Sequence, residues 1–132
     1  MTSEARNMRM IDGSGFGQAW IDAWNRRDVE TLVGYFADDA TLTTHFNPIA
    51  SATGRPLLNS YWSALAKSAT SFHCTLNDAF WSVQERKLTL LYRIERDGAR
   101  LRACEMLHFG PDGRVQRDNL VYNALLGSKS TP

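Results

Sequence analysis

Apolar residues at Phe16, Ala19, Trp20, Ala23 and Trp24 recur at helical spacing and lay one apolar stripe along a helix. The polar run Asn25-Arg26-Arg27 breaks the stripe, and Asp28 can cap a second helix by accepting a bond from a free backbone N–H. Val29, Leu32, Val33 and Phe36 give that second helix its buried face, and the short link predicts an angled hairpin. Asp38-Asp39 ends the helical pattern, and residues 40–45 alternate as a short strand. Residues 46–54 read as a loop punctuated by Pro48 and Gly54. Pro56 suits the first turn of a third helix, where no intrahelical N–H is required, and Leu57, Leu58, Tyr61, Trp62 and Leu65 make that helix amphipathic.

After Ser71 the period changes to two. Residues 72–83 form the first long strand, and Leu88, Leu90, Tyr92 and Ile94 alternate with Thr89, Leu91 and Arg93 on the second. Asp97-Gly98 tolerates positive φ and predicts a tight hairpin into a strand over 100–109. Gly110-Pro111-Asp112-Gly113 turns the chain into a last strand over 115–126. Three helices followed by an antiparallel meander predict an α+β fold, with the helices packed on one face of a strongly curved, mainly antiparallel sheet. Such a cone-shaped half-barrel encloses either side chains or an internal pocket.

Composition narrows the function classes. The chain has 132 residues, 43% hydrophobic and 22% charged, which suits one globular domain over 14–126 between tails at 1–13 and 127–132. Basic and acidic residues number 15 and 14, with no long run of one sign, so neither a nucleic-acid nor a membrane partner is expected. The apolar runs are far below the ~20 residues of a membrane span, and residues 1–12 lack the apolar centre of a secretory signal. A cytoplasmic location follows as the expectation, with Cys74 and Cys104 reduced. No His, Cys and carboxylate set has metal-ligand spacing, and no cofactor motif is present.

The run WIDAWNRRDVETLVGYFADDATLTT, Gly54 before the third helix, and Phe-x-x-Asp-Gly-Arg-Val at 109–115 carry a resemblance. They resemble the nuclear-transport-factor-like superfamily, which includes ketosteroid isomerase, scytalone dehydratase and SnoaL-like polyketide cyclases. The resemblance covers about residues 15–126 and is specific for fold rather than chemistry. In ketosteroid isomerase-like members it implies a tyrosine on the first helix, a base on the first strand and an acid on a later strand. Trp20 stands at the tyrosine's place and Thr44 at the base's, and neither residue type can do that work. Glu105 falls at the acid's position. Asp118 matches the catalytic aspartate that related cyclases and epoxide hydrolases carry on the last strand. Members often pair through the outer sheet face, so the resemblance implies a homodimer.

Strand parity tests the same residues independently. Leu101, Ala103, Glu105, Leu107 and Phe109 share one face, as do Gln116, Asp118, Leu120 and Tyr122 on the last strand. A carboxyl among apolar neighbours is desolvated, and a second carboxyl beside it raises one pKa further, which suits acid–base work near neutral pH. Glu105 reads either as that acid or as a wall residue bonded to Tyr92 or Trp20, with an Arg117 pair as a further option. His45, followed by Phe46 at the usual pocket mouth, reads as a proton shuttle or as an exposed loop histidine. Trp20, Thr44, Phe46, Tyr61, Trp62, Leu90, Tyr92, Leu107, Leu120 and Tyr122 are the candidate lining for a small, largely apolar molecule. Trp24 reads as packing, and the charges over 95–102 as solvated loop. Leu91, Cys104, Met106 and Val121 should point outward, an apolar face that suits an isologous dimer contact. Two functions stay open: an acid–base isomerase, cyclase, dehydratase or hydrolase, and a non-catalytic binding or interaction domain.

Overall fold

The computed structural model describes residues 13–45 and 50–124; Phe46 lies outside them. Helix α1 (Gly13–Asn25), α2 (Val29–Gly34) and α3 (Arg55–Ser68) accompany six strands: β1 (Phe36–His45), β2 (Ala50–Thr53), β3 (Phe72–Ser82), β4 (Lys87–Arg96), β5 (Ala99–Phe109) and β6 (Val115–Ala124). The strands form one sheet in the order β2-β1-β6-β5-β4-β3. All neighbours run antiparallel except β1 and β6. Irregular register at Leu76/Asp78, at His108/Phe109 and between Phe36 and Thr41 bends the strands, which curves the sheet around the helices.

Three expectations need correction. Residues 50–53 are strand, not loop, because they pair with Thr41–Thr44 of β1. Phe36 belongs to β1 rather than to α2: α2 ends at Gly34, and Tyr35 O accepts a bond from Val115 N instead of continuing the helix. On α1, Ala19 is exposed while Ile21 is buried. The helix is gripped from two sides, so its buried arc is wider than a single stripe. At Gly17 the approach is so close that an added Cβ would lie 2.8 Å from a Leu90 methyl.

The Asn25–Asp28 link is a set of anchors. The Asn25 side chain donates to Cys74 O at 2.9 Å and accepts from Cys74 N at 2.7 Å, pairing with β3 as a strand would. Arg27 donates to the carbonyls of Ala66 and Ala69, both at 2.8 Å, satisfying the open C-terminal end of α3. The Asp28 carboxylate accepts from Thr31 N and Oγ1, and these bonds hold it below the usual aspartate range. The Asp97-Gly98 turn forms as read, with φ of 49° and 86°. Gly54, at φ 93°, donates to Ala40 O and opens α3.

Candidate functional site

Glu105 occupies the middle of the concave face. On β5 it stands opposite Leu90 of β4 and Leu120 of β6. Tyr92 and Asp118 are therefore its diagonal neighbours, within reach of long side chains on one face. Tyr92 Oη donates to Glu105 Oε1 at 2.7 Å, and Trp20 Nε1 donates to the same oxygen from α1 at 3.3 Å. Glu105 is 2% exposed and Asp118 1% exposed.

Asp118 poses a different problem. Neither of its carboxyl oxygens meets a donor among the described residues, and both are buried. An ionised carboxylate there would be unpaired and dry, a cost of several kcal/mol. Burial, then the charge of Glu105, then a hydrogen bond with Glu105 hold the Asp118 carboxyl protonated well above the aspartate range. The two groups thus make a buried carboxyl pair in which Asp118 is the one pushed toward its protonated form. The same burial and charge raise Tyr92 well above its ordinary value and push the Cys74 thiol up to about 12, so neither ionises near neutrality.

A cavity of about 50 Å³ opens over Glu105. Its floor is made of the buried Trp24, Trp62, Cys74, Tyr92 and Glu105; half-buried Tyr61, Leu65, Phe72, Ile94, Arg96, Leu101, Leu120 and Tyr122 surround its mouth. A volume of that size takes a few water molecules or the reacting part of a small ligand.

Of the residues singled out from sequence, Glu105, Tyr61, Trp62, Tyr92, Leu120 and Tyr122 line this cavity. Trp20, Leu90, Leu107 and Asp118 are buried behind it. Thr44 lines a separate cleft of about 20 Å³ with Leu42, Ala50, Ser51, Ala52 and Tyr61. His45 is exposed, and its Nε2 lies 3.3 Å from Asn119 Oδ1, away from the Glu105 cavity. Arg117 is exposed beside His108 and makes no pair with Glu105.

Sequence reading missed Trp24, Leu65, Phe72, Cys74, Ile94, Leu101 and above all Arg96 as lining. For Arg96 the signal was available: it continues the 90-92-94 parity onto the same face, although it lies next to a turn. Among the described residues no three His, Cys, Asp or Glu side chains gather to hold a metal ion, and no helix is long and apolar enough to cross a membrane.

Known proteins match this architecture. The model of the SnoaL-like domain fits residues 18–117, so the chain belongs to the SnoaL-like domain family. A SnoaL-like protein of unknown function from Burkholderia thailandensis superposes with a TM-score of 0.71 at 23% identity, over 83% of this chain and 92% of that one. The epoxide hydrolase/cyclase-like enzyme SalBIII, of pyran ring formation in salinomycin, gives 0.67 at 13% identity over 80% and 86%. A steroid delta-isomerase from Pseudomonas aeruginosa gives 0.65 at 17% identity over 93% and 81%. These likenesses establish the shared α+β cone fold. No curated protein sequence matches the chain.

Proposed function

We propose that the chain is an acid–base enzyme acting on a small, largely apolar molecule, cyclic ones included. The observation that carries this reading is Glu105 buried at the floor of an apolar cavity, with the buried Asp118 carboxyl as its diagonal neighbour behind the wall. Glu105 is the base: it takes a proton from a substrate carbon, or from a water that then adds to the substrate. Asp118 is its positioning partner, and its retained proton tempers the negative charge at Glu105. Trp20 and Tyr92 fix Oε1, which aims the carboxylate. Isomerisation, cyclisation, dehydration and hydrolysis all need a proton moved at one atom and returned at another, and a pair of this kind can do both. The neighbours that are themselves a steroid isomerase and a cyclase-like enzyme support the same range.

The test is a turnover screen of small cyclic and aromatic compounds chosen by thermal shift. Glu105→Gln should keep the fold and lower turnover by about 10²–10⁴-fold, the usual contribution of a positioned base. Full activity in that variant would remove Glu105 from the mechanism.

Thr44, standing where the isomerase-like members hold a base, favours a second reading as a non-catalytic binding domain. Ligands that raise stability yet give no product with the wild-type protein would support it. The chain is further proposed to form a homodimer through the row Leu91, Cys104 and Val121, which are cross-strand neighbours on the outer face, with Met106 beside them.

A further inference from the structure

Arg96 is the anomaly of the concave face. Leu90, Tyr92, Ile94 and Arg96 follow one another at alternate positions of β4, and the first three are apolar or bonded to the floor carboxylate. The stripe then ends on a guanidinium that lines the cavity mouth together with Tyr61 and Tyr122. Among the described residues its guanidinium bonds Ser68 Oγ through Nη2 at 2.6 Å, and none of the ion pairs there includes it. A cation at a half-buried apolar rim, bonded among the described residues to a single hydroxyl, has further donors to offer a planar anion. Its charge also reaches Tyr122, where it counteracts the rise in that phenol's pKa caused by burial and by Tyr61.

Resting on the acid–base reading above, we infer that the ligand is an amphipathic carboxylate, whose anionic end is held by Arg96 and whose apolar body points its reacting carbon at Glu105. The two ends of the cavity enforce that orientation. Negative charge at Glu105 repels a carboxylate, the Arg96 guanidinium attracts it, and the aromatic walls between favour a flat or compact ring system. Register sets the length. Arg96 lies six residues along β4 from Leu90, the partner of Glu105. At about 3.3 Å per residue the two backbone positions stand roughly 20 Å apart, a gap shortened by both side chains lining the cavity.

The experiment measures binding by calorimetry for 1- and 2-naphthoate, biphenyl-4-carboxylate and cyclohexylacetate, each beside its own primary amide. The wild-type protein should bind at least one carboxylate about tenfold or more tightly than its amide, with the preference falling as salt is raised. Arg96→Met should bind acid and amide equally, while Arg96→Lys should restore part of the preference. Amide binding that survives in Arg96→Met shows that the variant is folded, and the lysine variant reads the charge if the methionine one is not. Equal binding of acid and amide by the wild-type protein overturns the assignment of Arg96 and leaves the acid–base reading standing. A preference that persists in Arg96→Met also overturns it. No binding of any probe contradicts the pocket reading itself, and the inference falls with it.

Discussion

Asp118 is the residue whose chemistry departs furthest from its exposed form. The unfolded chain releases its proton near the ordinary value of 3.8, whereas the folded protein keeps it well above that. Between those two values the native state binds more protons than the unfolded state, so stability falls as pH rises through the window. Asn has the same shape, cannot ionise and can still donate to Glu105. Asp118→Asn should therefore gain on the wild-type protein by roughly 1 kcal/mol per pH unit across that window, and urea unfolding at a series of pH values measures it. Parallel curves would mean that Asp118 is not the group retaining the proton. Glu105 and Asp118 were legible in the sequence because parity places them on the concave face and the superfamily resemblance does so separately. Arg96 was legible only through its parity with Leu90, Tyr92 and Ile94, because a charge beside Asp97-Gly98 otherwise reads as turn solvation. Trp20 was read as lining, yet it stands behind the cavity as a donor to Glu105, a difference that depends on how deep α1 sits.

At the scale of elements, the helices are held to the sheet by polar anchors as much as by apolar burial. The two bonds between Asn25 and the Cys74 backbone fix the end of α1 to β3, beside a thiol that lines the cavity. Asn25→Ala leaves both backbone groups without that partner and should cost about 1–3 kcal/mol in chemical denaturation. A loss below about 0.5 kcal/mol would mean that water replaces the anchor freely. The helices and long strands were readable from period alone, since each has one buried face. The boundaries at Phe36 and Ala50 were not. Phe-Ala-Asp-Asp carries a helical end signal, but Phe36 O is taken by Arg55 of α3, and β2 exists only because β1 offers it an edge.

Taken whole, the molecule places its helices on the concave face of the sheet and leaves the other face to Leu91, Cys104, Met106 and Val121, with Val121 42% exposed. An apolar row at the centre of a sheet face suits a two-fold contact. The proposed dimer predicts twice the monomer mass by light scattering at micromolar concentration, reduced to the monomer mass in Val121→Lys. A monomer in the wild-type protein would refute it.

The Glu105–Asp118 carboxyl pair can be observed without knowing a substrate. Side-chain carboxyl carbons of Glu and Asp, followed by NMR over a pH titration, report each protonation directly. The pair predicts that Asp118 stays protonated well above pH 3.8, and that Glu105→Gln lowers its titration point by removing the neighbouring charge. An Asp118 carboxyl that titrates near 3.8, with no response to Glu105→Gln, would contradict the pair and the acid–base function built on it.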